Sequence, residues 1–541
     1  MLDSMCVLGL IAGGVAQVAS PVPDDGGWRA WQGGVARLGV TFSARELGGF
    51  SMALGQGGGV SLSDYDDDGD VDLFAPSREG VPNRVYRNRG DGTFDEVGAA
   101  IGLDDLEAAR NALWFDADGD GRQDLVVAQD RYQAPGVTLS ATLRLWLQQP
   151  DGTFVEATGT GLEGVPLLRV GTHAGGLAAG DLTGNGRLDL VFATWDEGAW
   201  IFENRSTPGA PLFADIRASA GLAGVQRTYW QPVILDLNDD GLEDVFLAHD
   251  FGPNPALIND GGWGTGAGGF TDQGAPLGLN TAMNEMGVAV GDCDADGDFD
   301  LYVTNLTRQI FTLFQYCVLF VDEGAGFVER ALEHPVWRGG FGWGTTFLDY
   351  DLDGRLDLAE VNSLESPAGF ADVPWKLWKN TGRLRGPAAF VARQHGAGLA
   401  FLDAGSALAA ADLDRDGDAD LVATVLSDAT QPGALRVMTN TASTIHPDRD
   451  WVIVRPRMPG TPNARAIGAV VRVTERGWTQ SRKITAGVSF LSQEPAEAHV
   501  AFGARLSADG LIDRVTIKWP DGTSSVWTQV PAGGVVTLNR P

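Results

Sequence analysis

Aspartate residues at a regular spacing are the feature of this sequence that can do chemistry. The stretch from Asp64 to Leu73 reads DYDDDGDVDL, with carboxylates at positions 1, 3, 5 and 9 and a glycine at position 6. Alternate carboxylates that converge on one point, with a glycine where the chain must turn sharply, are what a hard cation such as Ca²⁺ requires. The same ten-residue frame begins again at Asp116, Asp181, Asp236, Asp292, Asp349 and Asp412. The sequence therefore predicts an array of cation-binding loops.

The residues around each loop predict β-strands. Short apolar runs precede and follow the loops, for example GVAVG at 287–291 before the fifth loop and LYVTN at 301–305 after it. Such runs, bounded by Gly and Asp, are typical of strands. An EF-hand would instead need flanking helices and a Glu at position 12. Only one of the seven loops has an acidic residue at position 12, Glu360 in the sixth loop. We therefore expect each loop to join two neighbouring strands.

The spacing of the loops predicts a closed ring of blades. Successive loops begin 52, 65, 55, 56, 57 and 63 residues apart, a period typical of propellers and solenoids. A third apolar run and a Phe-led fourth run follow most loops, as in NRVYRNRGDGTFDEV at 83–97, so each repeat reads as a four-stranded antiparallel sheet. The seventh repeat lacks the fourth run, whereas residues 35–48 read as an orphan fourth strand. We predict an all-β fold in which a seven-bladed β-propeller over residues 33–442 closes by pairing these two segments.

The charge of the chain restricts its partners. There are 71 acidic and 39 basic residues, which gives a net charge of −32, so we expect no nucleic-acid partner. No apolar stretch is long enough to predict a membrane-spanning helix. Residues 445–541 differ from the rest, because they contain 12 Lys and Arg against 8 Asp and Glu. This segment predicts a separate small β domain that docks by charge against the propeller.

The first 20 residues predict export. Residues 5–19 are apolar and small, and Ala16 or Ala19 could precede a cleavage point, although no basic residue comes before the run. The alternative is a buried N-terminal helix. We expect a signal peptide over residues 1–20 and a secreted, periplasmic or cell-surface protein, because extracellular modules work in millimolar Ca²⁺. Cys293 and Cys317 either form a disulfide or lie buried as thiols.

Two regions resemble known families. From about residue 35 to 440 the repeats resemble the FG-GAP/VCBS repeats of integrin α-subunit propellers. The phrases GVAVGDCDADGDFDLYVTN at 287–305 and FGWGTTFLDYDLDGRLDLAEVN at 341–362 are similar to the cartilage acidic protein family. From about residue 445 the chain resembles an ASPIC/UnbV domain, in WVIVRPR (451–457), NARAIGAVVRV (463–473), AGVSFLSQ (486–493), HVAFG (499–503) and VTIKWPDG (515–522).

The resemblance to FG-GAP/VCBS repeats implies a set of metal ligands. In such loops the side chains at positions 1, 3, 5 and 9 coordinate the ion and position 7 contributes its backbone carbonyl, with water completing the shell of oxygens. The residues at these positions, loop by loop, are Asp64, Asp66, Asp68, Asp70 and Asp72; Asp116, Asp118, Asp120, Arg122 and Asp124; Asp181, Thr183, Asn185, Arg187 and Asp189; Asp236, Asn238, Asp240, Leu242 and Asp244; Asp292, Asp294, Asp296, Asp298 and Asp300; Asp349, Asp351, Asp353, Arg355 and Asp357; and Asp412, Asp414, Asp416, Asp418 and Asp420.

The number of ions depends on the third and fourth loops. Thr183 and Asn185 replace two carboxylates in the third loop, and Asn238 replaces one in the fourth. Neutral oxygens still coordinate but bind more weakly, so the third loop is the one we expect to be empty, and the occupancy of 181–190 and 236–245 stays open. We expect five to seven Ca²⁺ ions with a structural role, because a catalytic metal keeps an open position toward a substrate pocket.

The face opposite the metal loops is where we expect the function. Aromatic residues beside Arg, His and Asp there could bind a glycan or a peptide. The candidates are His173, Tyr229, Trp230, His249, Asp250, Arg308 and Trp337. Packing between blades is an equal explanation for the tryptophans.

Two functions are compatible with this sequence. We predict a calcium-binding module or scaffold for a glycan or protein ligand. The alternative is a propeller enzyme that acts on polysaccharide as a lyase or hydrolase; no catalytic residue is assigned, because the sequence contains neither a His-Glu-x-x-His motif nor a P-loop. Tyr, His and Arg converging over the central channel would favour the enzyme, whereas a shallow aromatic platform would favour the binding module.

Overall fold

A computed structural model describes residues 40, 43–47, 58–77, 80–129, 142–163, 165, 173–195, 197–222, 226–263, 268–310, 313–362, 373–382, 388–426 and 433–541. The signal peptide predicted at residues 1–20 lies outside these residues. In the described ranges, none of the helices has the length and apolar character needed to cross a membrane.

Six blades are antiparallel sheets whose first four strands follow one another from the inside of the ring outward. The strands of blades 1 to 3 are Val60–Ser63, Asp72–Ala75, Arg84–Asn88 and Phe94–Glu96; Ala109–Phe115, Asp124–Gln129, Thr142–Gln148 and Phe154–Ala157; and His173–Gly180, Asp189–Trp195, Gly198–Asn204 and Phe213–Asp215. The strands of blades 4 to 6 are Thr228–Leu235, Asp244–Pro253, Ala256–Asn259 and Phe270–Asp272 with the additional Ala282–Asn284; Val288–Gly291, Asp300–Val303, Val318–Asp322 and Phe327–Glu329; and Gly342–Leu348, Asp357–Asn362, Lys376–Asn380 and Phe390–Ala392.

The first two strands of the blades are buried on both faces. All seven residues of Ala109–Phe115 and all six of Asp124–Gln129 are buried, as expected of short apolar runs in sheets that are covered on both sides. Between the second and third strands of blade 5 a hairpin forms from Arg308–Ile310 and Leu313–Gln315. Within the described ranges, helical single turns lie at Gly98–Ile101, Ala331–Glu333, Pro335–Trp337 and Ala442–Ile445.

Blade 7 closes the ring with a strand from the other end of the chain. Its inner strands are Gly405–Ala411, Asp420–Val425 and Ala434–Thr439, and its outer strand is Ser43–Leu47. That outer strand runs antiparallel to the third, with Ser43 opposite Thr439. The predicted pairing of the N-terminal orphan strand with the last blade is therefore confirmed, and the fold is the predicted all-β propeller.

Buried amides at the ends of the third strands tie neighbouring blades together. Each side-chain amide donates a hydrogen bond of 2.7 to 3.0 Å to a main-chain carbonyl in or next to the metal loop of the adjacent blade. The pairs are Asn88 with Leu413, Gln148 with Tyr65, Asn204 with Ala117, Asn259 with Leu182, Asn380 with Cys293 and Asn440 with Tyr350. Because a buried amide that loses its acceptor costs about 1 to 3 kcal/mol, these contacts fix the rotation of one blade against the next.

The C-terminal segment forms two further sheets. One contains Ala498–Gly503, Asp450–Arg457 and Gly534–Asn539, and the other contains Trp478–Lys483, Val470–Glu475, Leu511–Lys518 and Ser524–Pro531. Their apolar faces share one buried cluster with blades 2 and 3, in which Val471 and Ile517 belong to the C-terminal domain and Phe115 and Phe192 to the propeller. The domain therefore packs on the ring through apolar surface as well as through charge.

Basic side chains of the C-terminal domain contact the metal-loop face of the propeller, as its positive charge predicted. Arg465 pairs with Asp67 at 2.6 Å, and Lys483 pairs with Glu243 at 2.6 Å. Two tryptophans pack closely against loop glycines: a Cβ atom on Gly354 would be 2.1 Å from the Trp478 ring, and one on Gly417 would be 1.8 Å from the Trp451 ring. The domain thus covers the face that carries the metal loops.

A loop of the C-terminal domain fills the central channel. This channel loop, residues 486–494, contacts the innermost strand of all seven blades. Its backbone pairs with Val60 of blade 1 and with Val288 of blade 5, and Ala486 accepts a hydrogen bond from Ala179 of blade 3. Hydrogen bonds between side chains and backbone groups connect the loop to the other four blades. The pairs are Gln493 with Trp114 in blade 2, Leu491 with Gln231 in blade 4, Ser489 with Thr345 in blade 6, and Glu494 with Ala410 in blade 7.

The fit of the channel loop depends on glycine. Gly487 has a φ of +92°, and a Cβ atom at that position would lie 2.0 Å from the carbonyl oxygen of Leu177. At the tip of the loop, Phe490 and Leu491 are fully buried. The propeller and the C-terminal domain are therefore interlocked.

Candidate metal centres and ligand site

The seven metal loops share one backbone conformation. The glycine at position 6 has a positive φ in every loop, from +81° at Gly186 to +112° at Gly297, a region that other residues rarely adopt. The sequence prediction that glycine provides the sharp turn is confirmed.

The aspartate at position 9 supports the loop through its backbone. In the first loop one oxygen of Asp72 accepts the Tyr65 amide at 3.2 Å and the other accepts the Asn88 amide at 2.9 Å. Asp189, in the weakest loop, does the same with the amides of Thr183 and Asn204. The same pair of contacts recurs at Asp124, Asp244, Asp300, Asp357 and Asp420. Position 9 therefore fastens the loop to the third strand in all seven blades, a role that the ligand prediction did not include.

Five loops gather three carboxylates within reach of one ion. The oxygens of each group lie within 4.8 Å of one another, which is about the largest separation that two oxygens can have when both are roughly 2.4 Å from a shared Ca²⁺. The groups are Asp64, Asp66 and Asp72; Asp116, Asp118 and Asp124; Asp292, Asp294 and Asp296; Asp349, Asp351 and Asp353; and Asp412, Asp414 and Asp420. These five triads can hold metal ions.

Unpaired carboxylate oxygens fit a bound cation. One oxygen each of Asp64, Asp292, Asp351 and Asp412 is buried without a hydrogen-bond donor among the described residues. Burial raises the pKa of Asp412 to about 8. A buried carboxylate without a donor must bind either a proton or a cation, and a hard divalent cation suits oxygen ligands at this spacing.

The third and fourth loops do not gather three carboxylates in the described residues. In the third loop the two Asp181 oxygens accept backbone amides from Asn185 and Gly186. In the fourth, Asn238 donates to Asp240 at 2.9 Å, and Lys518 of the C-terminal domain lies 3.7 Å from Asp236. Asp116 and Asp349 accept the corresponding amides within triads, and one Asp236 oxygen is buried without a donor among the described residues, so the difference lies in the missing carboxylates and, in the fourth loop, in the nearby lysine. This is in line with the weaker binding expected from the sequence.

Arginine at position 7 ties the loop to the end of the third strand. The Nε atoms of Arg122, Arg187 and Arg355 donate to main-chain carbonyls of Gln148, Ser206 and Asn380 at 2.8, 2.8 and 3.0 Å. The sequence assigned only a backbone carbonyl to this position, so the side-chain role is an addition.

A lysine competes for the cation position in the sixth loop. The Lys379 ammonium contacts Asp351 and lies 2.8 Å from Asp353. An ion that enters must displace this charge, and unit charges about 4 Å apart interact by about 4 kcal/mol at a surface-like dielectric constant. We expect Lys379→Met to raise the Ca²⁺ affinity of one site by at least about tenfold in a calorimetric titration. The matched control is Arg87→Met, because Arg87 is the exposed residue at the same strand position in blade 1. Equal titration curves for Lys379→Met and the parent protein would contradict the claim that Lys379 competes with the cation.

An aromatic cluster surrounds the tip of the channel loop at the end of the channel remote from the metal loops. We call it the aromatic site: Trp195, Trp230, Met286, Leu306, Phe341, Trp343, Phe490 and Leu491. The Phe490 ring lies 4.6 Å from Trp343 and 5.6 Å from Trp230 in edge-to-face geometry. Trp195, Leu306, Phe341 and Trp343 are only half-buried, so the site presents a shallow aromatic surface.

Asp250 fixes two of these indoles. Its Oδ2 accepts hydrogen bonds from the indole N–H groups of Trp195 and Trp230 at 3.1 and 3.2 Å, and its Oδ1 accepts one from Asn284 at 2.6 Å. Burial raises the pKa of Asp250 to about 6. With every carboxylate oxygen engaged, Asp250 positions the aromatic site.

The candidates for the ligand face divide into three groups. Trp230 and Asp250 lie in or under the aromatic site, and the His173 ring is 6.0 Å from that of Trp195. The rings of Tyr229 and His249 pack in a tilted arrangement with centroids 5.0 Å apart and are almost fully buried, with the His249 ring hydrogen-bonded to the Pro253 carbonyl at 2.9 Å. Trp337 lies apart against Phe314, and the Arg308 side chain lies outside the described residues.

Sequence reasoning missed Trp343 and Phe341. Trp343 and Trp230 each stand six residues before the first aspartate of their loops, and at this register Arg110 of blade 2 lies with its guanidinium 5.1 Å from the Trp230 ring. Counting back from the loops would have found this ring of residues at the channel end. Phe490 carries no such signal, because it reaches the site from the C-terminal domain.

Cys293 is the second residue of the fifth metal loop, where its amide donates to Asp300, whereas Cys317 lies apart, with its sulfur 3.5 Å from Glu360. Cys293 and Cys317 are both free and buried, which confirms the thiol alternative. The carboxylate of Glu360 accepts the Tyr302 hydroxyl at 2.8 Å, and burial raises its pKa to about 7.

Comparisons with known proteins match both halves of the chain. The FG-GAP-like repeat matches residues 64–127 and 116–192, and the ASPIC and UnbV domain matches residues 460–541. Cartilage acidic protein 1 of mouse and of human are each 24% identical over 326 residues, which cover 56% of this chain and 47% and 46% of those proteins. The chain thus spans about half the length of the curated relatives it matches.

Solved structures align with a larger share of this chain than cartilage acidic protein 1 does, but their sequence identity is lower. A BBS1N–ARL6DN complex aligns with a TM-score of 0.43 and 10% identity over 75% of this chain and 98% of the other. An Agrocybe aegerita lectin that recognises non-reducing terminal N-acetylglucosamine gives 0.39 and 18% over 62% and 80%, and Trypanosoma rangeli sialidase gives 0.37 and 8% over 75% and 60%. At these scores the alignments say nothing about the ligand of this chain.

The matched regions coincide with the loops and sheets described above. The repeat matches cover the first three metal loops, and the C-terminal match covers the channel loop and most of the two sheets that dock on the ring. The protein therefore carries FG-GAP-like repeats followed by an ASPIC/UnbV domain, and it is a distant homologue of cartilage acidic protein 1.

Proposed function

We propose that this protein is an exported, calcium-stabilised binding module whose ligand is a glycan held at the aromatic site. The observation that carries the proposal is the half-buried aromatic surface at the end of the filled channel. Binding sites for small ligands are lined mainly by apolar and aromatic side chains with a few placed polar groups, and this site has both.

The polar groups of the aromatic site suit hydroxyl-bearing ligands. The indole N–H of Trp343 has no hydrogen-bond acceptor among the described residues, so it can donate to a ligand oxygen once the ring moves slightly. Asp250 and the channel loop hold the surrounding rings in place, which lowers the entropic cost of binding.

The metal ions would stabilise the blades that support the aromatic site without lying near it. Their loops lie under the C-terminal domain, on the other end of the inner strands from the aromatic site. We propose that Ca²⁺ fills the five triads and stiffens the blades, and that the protein works outside the cytoplasm, where calcium saturates loops of modest affinity.

A glycan array with product analysis tests the proposed function. We expect bound glycans to be recovered unchanged, and Trp343→Ala to lose at least about tenfold in affinity, since a stacked ring contributes of the order of 1 kcal/mol or more beyond its contact area. Trp337→Ala is the matched control, because Trp337 lies outside the aromatic site. Cleaved products would favour the polysaccharide enzyme, and the absence of glycan binding, or equal loss in the two variants, would contradict the proposal.

A further inference from the structure

A second cleft, distinct from the aromatic site, lies on the metal-loop side of the molecule. It has a volume of about 330 Å³ and is bounded by the sixth metal loop, the segment that follows blade 7 and the C-terminal domain. We call it the basic cleft, because its charged lining consists of Arg355, His446, Arg449 and Arg505 with Asp353 and Asp448. Each of the three parts of the molecule contributes one arginine.

Main-chain carbonyls hold the three guanidinium groups in position. Arg355 donates to the Asn380 carbonyl at 3.0 Å, Arg505 donates to the Asp353 carbonyl at 3.1 Å, and Arg449 donates to the carbonyl of Asp351. The Arg505 guanidinium also lies over the Trp478 ring at 4.9 Å. Carbonyls and rings orient a guanidinium without cancelling its charge, and each guanidinium has five N–H donors, so donors remain for another partner.

The balance of charge in the basic cleft is positive. Three guanidinium groups face two carboxylates in the lining; Asp353 pairs with Arg355 and lies 2.8 Å from Lys379, and Arg449 lies 3.6 Å from Asp351 of the sixth metal loop. Donors of three guanidinium groups that come from separate parts of the molecule therefore meet at one cleft.

We propose that the basic cleft binds the oxyanion group of a small molecule or of a sugar: a sulfate, phosphate or carboxylate. Arginine is suited to this, because its planar fork donates two parallel charge-assisted hydrogen bonds to such groups. A volume of about 330 Å³ is at the small end of the range of ligand pockets, which matches a ligand about the size of one sugar ring. The proposal does not depend on the glycan at the aromatic site, since the two sites share no residue.

The site requires the docked arrangement of the chain. Arg449 lies in the segment after blade 7, Arg505 in the C-terminal domain and Arg355 in blade 6, so the three groups meet only while the C-terminal domain covers the ring. A bound anion would therefore stabilise the docked state by mass action.

Calorimetric titration of the calcium-loaded full chain tests the proposal. The probes are glucose 6-sulfate, glucose 6-phosphate and glucuronate, which distinguish the three oxyanions, and glucose is the neutral reference. We expect saturable binding of at least one charged sugar to one site and none of glucose. Arg449→Gln and Arg505→Gln should each lower that affinity by at least about tenfold.

The matched control is Arg472→Gln. Arg472 also projects from the C-terminal domain to a metal loop, where it donates to the Gly297 carbonyl at 3.5 Å, but it lies outside the basic cleft. The Arg472→Gln variant should therefore bind the charged sugar as tightly as the parent protein does. If Arg505→Gln fails to fold because Trp478 loses its partner, Arg449→Gln carries the comparison. The proposal is overturned if no charged sugar binds saturably in the millimolar range, if glucose binds equally well, or if Arg472→Gln loses as much affinity as Arg449→Gln.

Discussion

Removal of divalent cations by dialysis against EDTA is expected to lower the melting temperature of the full chain by about 10 °C at pH 8. An ion present at a hundred times its dissociation constant stabilises a site by about 2.7 kcal/mol, so five filled triads contribute about 13 kcal/mol. The entropy of unfolding is about 2.1 cal/mol/K per residue, which for 541 residues converts each kcal/mol into about 1 °C. A scanning calorimeter with calcium at about 10 mM, and after dialysis, measures the difference.

The effect of cation removal should grow with pH. Without an ion, burial raises the pKa of Asp72 to about 8 and that of Asp116 to about 7, above the ordinary value of 3.8. The folded chain then holds protons that the unfolded chain releases, so the stability of the cation-free form falls as pH rises from about 4 to about 8. Bound calcium holds these carboxylates as anions, so the calcium-loaded form does not lose stability in this way as the pH rises. We therefore expect a smaller difference between the two forms at pH 5 than at pH 8.

A matched pair of variants separates ion binding from general acidity. Asp66→Asn removes one ligand charge from the first triad and should lose part of the calcium-dependent shift. Asp239→Asn changes an exposed aspartate at the fourth position of the fourth loop, outside every triad, and should keep the whole shift. A melting temperature that is the same with and without calcium, in the parent chain, would contradict the assignment of the triads.

Truncation of the channel loop is expected to have the second large effect. Phe490→Ala removes a fully buried ring that packs against Trp230 and Trp343, and deletions of this kind cost about 3 to 5 kcal/mol. Equilibrium unfolding in urea measures the loss. The same variant should weaken glycan binding, although Phe490 belongs to the C-terminal domain, because its ring supports the Trp343 face.

The control for Phe490→Ala is Val535→Ala in the same domain. Val535 is 42% exposed, so its truncation should change the free energy of unfolding by no more than about 0.5 kcal/mol. If Phe490→Ala is as mild as Val535→Ala, the ring does not fill the channel and the interlocked arrangement is wrong.

The repeat architecture could be predicted because its signals are local. Each metal loop places ligands, glycine and flanking strands within a few residues, and the positive φ of Gly186 and Gly297 bears out the predicted turn. Even the closing strand could be predicted, because the N-terminal segment reads as a fourth strand without a blade and the seventh repeat lacks a fourth strand. The triads follow the counted carboxylates, and the two loops with Thr183, Asn185 or Asn238 form none.

The contacts of the channel loop could not be predicted, because they have no local signature. Gln493 pairs with Trp114 across 379 residues, and Leu491 pairs with Gln231 across 260. In the sequence, AGVSFLSQ is one of the segments that resemble an ASPIC/UnbV domain, but nothing in it indicates that it pairs with the inner strands of the blades. The charge of the C-terminal domain correctly indicated docking, but charge says nothing about a shared apolar core or about a loop that enters the ring.

The aromatic site illustrates the same limit. Residue type and position at the strand ends predict Trp230 and Asp250, yet Tyr229 and His249, predicted on the same grounds, are packed between blades instead. Residue type shows which side chains can bind, whereas the register relative to the metal loop determines which of them reach the channel end.

Hydrogen exchange in the channel loop tests the account most directly. In the full calcium-loaded chain the amide of Ser489 donates to Val288 at 2.7 Å and that of Leu491 donates to Gln231 at 2.9 Å, in the buried channel. We predict that both amides exchange as slowly as those of the inner strands, and that cation removal speeds the exchange of the channel loop and the inner strands together. Exchange of Ser489 and Leu491 at the rate of an exposed loop, while the inner strands remain protected, would contradict the interlocked structure.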